Sequence, residues 1–209
     1  GSEETVRKEY DGLVALLRET RSALVDKVVT AAYYPDGRQE VFLKEAAPFA
    51  DFLHSMAYDA PGPAGHSPVQ LADTAVRRAT FPNHVLGLPF YGRSTATGDW
   101  TTYEDLVQRK FDPALDDLDG VAFNGLHTIR RKVDLAIDRD LPGVMIWEVG
   151  QDCRLEPVKR RGHTHVVTCP QPNASLLLGG ISHAIARRGR VLMTTTPSSS
   201  DSSAAAELR

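Results

Sequence analysis

Three short apolar runs in this chain each end in side chains able to hold or polarise a ligand. The first closes on Ser55-Met56-Ala57-Tyr58-Asp59. The second closes on Gly87-Leu88-Pro89-Phe90-Tyr91-Gly92-Arg93, the third on Gly143-Val144-Met145-Ile146-Trp147-Glu148. Tyr58 and Asp59 put a hydroxyl donor beside a carboxylate acceptor. Trp147 offers a flat apolar face, and sugar rings present C–H faces that pack on aromatic surfaces. Taken singly, each residue has an ordinary reading. A tryptophan in a buried strand is core, and an aspartate after a strand is a turn residue or a helix cap. Their shared position argues for more, because parallel α/β folds place ligand sites at the carboxyl ends of strands.

The elements that must carry these ends follow from periodicity. Residues 3–24 read as an amphipathic helix, with Val6, Tyr10, Leu13, Leu17 and Leu24 at helical spacing and Glu3 and Glu4 favouring its N-terminal end. A β-rich run over 28–34 is closed by Pro35-Asp36-Gly37. The alternation continues with a helix over 41–49, a strand over 52–58, a helix over 68–79 and a strand over 85–91. A long polar segment over 94–120 follows, then a helix through Leu126, Ile129, Val133 and Ile137, a strand over 144–149 and a last helix over 174–187. The strands are continuously apolar rather than alternating, the mark of parallel strands covered on both faces. Right-handed crossovers and an α/β fold follow. A closed eight-unit barrel takes ~250 residues. With 209 residues and four strand–helix units, the chain fits half a barrel or a small open sheet. Half a barrel has two unpaired edges, open to self-association.

Composition excludes several function classes. The formal net charge is −3, so there is no basic footprint for nucleic acid. Lys159-Arg160-Arg161 reads as a solvated loop. No apolar run approaches the ~20 residues of a membrane span. The acidic start Gly1-Ser2-Glu3-Glu4 is not a signal peptide and lacks an initiator methionine, so the chain is expected to begin inside a longer product, or after processing or a cloning scar. Cys153 and Cys169 leave one bridge or two free thiols open. Asn173-Ala174-Ser175 is a glycosylation sequon that matters only in a secreted eukaryotic protein. His163-Thr164-His165 lacks a third ligand and reads as an exposed loop rather than a metal site. The Ser/Thr/Ala-rich tail over 194–209 reads as disordered.

Taken together and in order, Met-x-Tyr-Asp, Gly-x-Pro-x-Tyr-Gly-Arg and Gly-x-Met-x-Trp-Glu resemble the sixth, seventh and eighth strand signatures of family-18 glycoside hydrolases, the chitinase family. Phe123-Asn124-Gly125 with the helix over 128–136, and Tyr103-Glu104-Asp105-Leu106, also look like that family. The resemblance implies a partial (β/α)8 barrel, about strands five to eight. The C-terminal barrel half would occupy 1–152, with a loop and terminal barrel helix over 153–193. It implies hydrolysis of β-1,4-N-acetylglucosaminides by a substrate-assisted retaining route, acting on chitin or an N-acetylglucosamine oligosaccharide, without cofactor or metal, in a secreted or extracellular setting. By resemblance, Tyr58 and Asp59 are the catalytic residues that bind and orient the acetamido group. Trp147 would floor the subsite, Tyr91 and Arg93 would contact the neighbouring sugar, Met56 and Met145 would form the wall, and Glu148 would orient a neighbour.

The family's Asp-x-x-Asp-x-Asp-x-Glu motif, whose glutamate is the general acid, is absent; Asp112, Asp116, Asp117 and Asp119 are not followed by the required glutamate. Its place is expected just before Gly1. The chain alone is therefore expected to be inactive. A lectin-like binding member of the family is the alternative. Endo-action on N-glycan cores or peptidoglycan is a neighbouring specificity decided largely upstream. A sugar-phosphate barrel enzyme would need a Gly-rich phosphate loop, which Gly150-Gln151-Asp152-Cys153-Arg154 does not resemble. The spacing between the last two strands leaves no room for an inserted α+β subdomain, which implies a shallower groove and more endo-like action.

Overall fold

A computed structural model describes residues 3–61, 65–110, 112–160, 162–169 and 175–194. Helix α1 (Glu3–Ala23) carries Glu3 and Glu4 in its first turn and Arg21 in its last, both matched to the helix dipole. It lays Leu13, Val14 and Leu17 on the core. Strand β1 (Thr30–Tyr33) is shorter than the apolar run that announces it. It pairs on one side only, and Val28 ahead of it is exposed. Helix α2 (Gln39–Ala46) gives way to a single 3-10 turn at Ala47–Phe49, where Pro48 cannot donate to the helical ladder. Strand β2 (Phe52–Ser55) stops before the expected end: the Met56 amide still bonds to the Tyr33 carbonyl, but the Tyr58 amide then turns back onto the Met56 carbonyl.

Helix α3 (Val69–Arg78) buries Ala72, Ala75 and Val76. Strand β3 (His84–Pro89) is buried along its whole length. Between β3 and the last parallel strand the polar segment is not a plain crossover loop but a small inserted α+β unit, which corrects the expectation that none is present: very short strands let it fit within the spacing. It holds β4 (Tyr91–Ser94), β5 (Trp100–Thr102), helix α4 (Tyr103–Arg109), β6 (Asp117–Leu118) and β7 (Val121–Ala122). The four strands form an antiparallel sheet in the order β5-β4-β7-β6. Strands of two to four residues are too short to leave an alternation in the sequence. Thr102 caps α4 by accepting from the Asp105 amide.

Helix α5 (Leu126–Asp138) returns to β8 (Val144–Trp147), which closes a parallel sheet in the order β1-β2-β3-β8. Its register sets Gly87 opposite Met145 and Pro89 opposite Trp147. The Trp147–Glu148 peptide bond is cis. This is the expected partial barrel, and β1 and β8 are its two open edges among the described residues. After a 3-10 turn at Val149–Gln151, the basic run is not a loop but a hairpin of β9 (Val158–Arg160) and β10 (His163–His165). Cys153 and Cys169 are disulfide-bonded around it.

Helix α6 (Leu177–Thr194) begins later and runs further than its pattern suggests. Buried Asp152 accepts from the amides of Leu177 at 2.7 Å and Leu178 at 3.0 Å, an N-terminal cap reaching back across the hairpin. Arg187 and Arg188 pair with Asp134 and Asp138 of α5 and carry the helix past 187. The sequon asparagine and the tail beyond 194 lie outside the described residues.

Candidate active site

At the end of β2 the chain turns out of the sheet. Asp59 adopts φ +59°, a left-handed conformation that aspartate tolerates better than most residues. Tyr58 is buried just before it, with its ring edge-on to Tyr91 at 6.1 Å between centroids. The ring needs Gly87 beneath it. A Cβ there would lie 2.3 Å from the Ser55 carbonyl oxygen, 3.0 Å from Tyr58 Cε1 and 3.2 Å from Met145 Cε. The Gly-x-Pro of the second signature is thus a packing requirement of the first and third. Met145 is half-buried beside it, and Met56, directly after β2, is half-buried too.

Asp59 gathers groups from two further segments. Arg93 Nε of β4 stands 3.0 Å from Asp59 Oδ1. His66 Nδ1 stands 3.5 Å from the same oxygen. Tyr91 shares a side-chain hydrogen bond with the carboxylate. Arg93 NH1 donates to the Gly98 carbonyl at 2.8 Å, which fixes the guanidinium.

Burial and then the Asp59 charge push the Tyr58 phenol up to about 12. Burial first, then the hydrogen bond to Asp59, raise the Tyr91 phenol. Both hydroxyls therefore keep their protons at neutral pH and can donate. The His66 imidazole is driven down to about 4, chiefly by burial against the opposing pull of Asp59. It is neutral at pH 7, with Nε2 at 3.1 Å from the Tyr91 carbonyl oxygen.

These groups open on a cleft of about 310 Å³ lined by Asp59, Tyr91, Arg93, Trp100, Trp147, Glu148 and Gln151. Trp147 is 53% exposed and Trp100 61%, so Trp147 is not the core residue that a strand position would suggest. Glu148 accepts from Gln151 Nε2 at 3.0 Å. Of the residues singled out in the sequence, Asp59, Tyr91, Arg93, Trp147 and Glu148 meet at this cleft. Tyr58 adjoins the cleft through its ring contact with Tyr91, and Met145 lies with it over Gly87.

Trp100, Gln151 and His66 join the site without belonging to any of the three signatures. Trp100 sits in a short polar strand, where an exposed indole has no packing reason; that was the available signal. The acidic group does other work. Asp116 accepts from the Gly125 amide at 2.8 Å and Thr128 Oγ1 at 2.6 Å at the start of α5. His165 pairs with Asp105 at 3.0 Å.

Residues 2–152 match the sequence model of glycosyl hydrolases family 18. No curated protein sequence matches the chain. Among solved structures, the GH18 chitinase ChiB from the chitin utilization locus of Flavobacterium johnsoniae superposes with a TM-score of 0.63 at 27% identity. The match covers 85% of this chain and 55% of that one. A chitinase from Bacteroides thetaiotaomicron gives a TM-score of 0.68 at 21% identity, over 88% of this chain and 60% of that one. A plant class V chitinase mutant from Cycas revoluta, in complex with (GlcNAc)3, gives 0.50 at 19% identity, over 71% and 59%. The last two speak to fold alone. The chain spans about 55–60% of the length of these relatives.

Proposed function

The chain belongs to glycosyl hydrolases family 18, and on that premise we propose that it carries the sugar-holding half of a chitinase-type site, for β-1,4-N-acetylglucosaminides, and does not hydrolyse them by itself. One observation carries this reading: the Asp59 carboxylate, the Arg93 cation and the Tyr91 phenol share a cleft with the exposed face of Trp147.

In a substrate-assisted reaction the N-acetyl oxygen attacks its own anomeric carbon, and the leaving oxygen takes a proton. Tyr58 donates to the acetamido carbonyl, its proton secured by burial. Asp59 accepts from the acetamido N–H and opposes the positive charge that grows on that group. Tyr91 and Arg93 hold the carboxylate in place and reach the neighbouring sugar. Trp147 floors the subsite, Met56 and Met145 back its wall, and Glu148 is oriented through Gln151.

What the sequence does not contain is the acid motif that protonates the leaving oxygen. General acid catalysis contributes about 10²–10⁴ in rate, and the absent part of the groove contributes positioning besides. The test is fluorogenic chitobioside cleavage by the purified chain, set beside a direct titration with tri-N-acetylchitotriose. Binding without turnover is the expected result; turnover well above background overturns the assignment of inactivity.

A purely binding role for the whole protein is the second reading, favoured by two exposed indoles on one cleft. It separates from the first at the acid position. A residue other than glutamate there supports binding, and glutamate supports hydrolysis.

A further inference from the structure

Behind the cleft lies a buried amine that the proposed chemistry does not use. Lys132, on α5, is 0% exposed. Its Nζ donates to the Ser67 carbonyl at 2.7 Å, to Ser67 Oγ at 2.7 Å and to Asn124 Oδ1 at 2.6 Å. All three acceptors are neutral, and Asp116 supports the charge only through space. Burial lowers the amine to about 7 against the opposing pull of Asp116. Lysine is almost never fully buried unless paired, and an apolar residue of similar volume is often as stable in such a place. On α5 its neighbours Ile129, Val133 and Ala136 are core, so packing does not call for an amine at 132. The three acceptors it gathers do.

Those acceptors lead to the cleft. Asn124 Nδ2 donates back to the Ser67 carbonyl at 2.9 Å, closing a ring of hydrogen bonds around Ser67. Ser67 Oγ donates to the Ala57 carbonyl at 2.8 Å, directly before Tyr58 and Asp59. His66, directly before Ser67, sets its ring 5.0 Å from that of Tyr91 and its Nδ1 3.5 Å from Asp59. The His66 carbonyl accepts from the Ala60 amide at 2.9 Å, on the far side of Asp59. One amine thereby pins both flanks of the left-handed turn at Asp59.

We infer that Lys132 is a positioning residue for Asp59, acting through Ser67 on the Ala57 carbonyl and on His66 to hold the carboxylate where the acetamido group is received. The inference rests on the proposed sugar-holding role of Asp59 for its functional consequence, and on geometry alone for the clamp.

The test uses the full chain with Lys132→Met, and with Ser67→Ala, which keeps the buried amine. Amide spectra report the clamp without any sugar. In both variants the Tyr58 and Asp59 resonances move strongly while the Val29 amide, in the other core cluster, holds still. Affinity for tri-N-acetylchitotriose falls about tenfold in Lys132→Met. It falls no further when Lys132→Met is added to Asp59→Ala, because the amine acts through that carboxylate. A merely structural lysine gives losses that add in the double variant, and spectra that shift throughout or not at Tyr58 and Asp59; either result overturns the inference. If Lys132→Met fails to fold, Ser67→Ala decides by the same two readouts. If the unaltered chain binds no sugar, the sugar-holding role of Asp59 has failed, and the spectra alone decide the clamp.

Discussion

Asp59 Oδ1 and Arg93 Nε stand 3.0 Å apart across the gap between the end of β2 and the start of the antiparallel sheet. The contact is an ion pair rather than an in-line hydrogen bond. It ties the first signature to the second and leaves the carboxylate partly exposed to the cleft. Asp59→Asn keeps the shape and removes the charge. We expect a fold unchanged by circular dichroism and about a tenfold weaker grip on tri-N-acetylchitotriose. An unchanged affinity by calorimetry contradicts the role given to Asp59.

The chain has two tryptophans, and both line the cleft. Tryptophan emission, excited at a wavelength the tyrosines do not absorb, therefore reports on this cleft. Sugar binding should dry both indoles and shift the emission to the blue, saturably. Trp147→Ala should remove most of the change and weaken binding about tenfold. A fluorescence response and an affinity that both survive Trp147→Ala intact contradict the floor role given to Trp147.

Gly87→Ala tests the packing on which Tyr58 depends. The new methyl meets the Ser55 carbonyl oxygen at 2.3 Å, and that atom is backbone. Overpacking of this kind costs about 1–3 kcal/mol. Urea denaturation should show a loss in that range, with weaker sugar binding in the protein that stays folded. Wild-type stability in this variant would mean that β2 and β3 can separate more freely than the structure allows.

How much of this was legible in the sequence follows from length and periodicity. Strand β3 is buried and apolar along its whole length, so its run stands out; β1, β2 and β8 are only partly buried, against the expectation of strands covered on both faces, and stand out by apolar residues set between turn signals. The signatures at the strand ends name the cleft residues Asp59, Tyr91, Arg93 and Trp147. The antiparallel sheet was not legible because its strands are two to four residues long, so Trp100 was passed over as loop. Lys132 and His66 were hidden for another reason. A lysine on an amphipathic helix reads as solvent-facing, and only the fold reveals that its amine ends on Ser67 and Asn124. The cap that Asp152 gives to α6 is similarly non-local.

Two buried imidazoles set the acid side of the stability profile. Burial holds His66 and His84 near 4, against an ordinary value of 6.5. Between those values the unfolded chain binds protons that the folded chain refuses, so stability rises with pH there. The contribution is complete above about pH 6.5 and is lost as pH falls toward about 4, by at most about 3 kcal/mol for each ring. Urea midpoints at a series of pH values should fall steadily through that window. His84→Gln should flatten part of the fall; a wild-type midpoint that stays level through the window contradicts the burial of these rings as the cause.

The most direct test of the account is a pair of calorimetric titrations of the purified chain, one with tri-N-acetylchitotriose and one with cellotriose. The two sugars share their linkage and differ in the acetamido groups. Saturable binding of the first and none of the second is the predicted result, because Tyr58 and Asp59 read the acetamido group. Equal binding of both, or binding of neither, contradicts the claim that this cleft is the acetamido-holding half of a chitinase-type site.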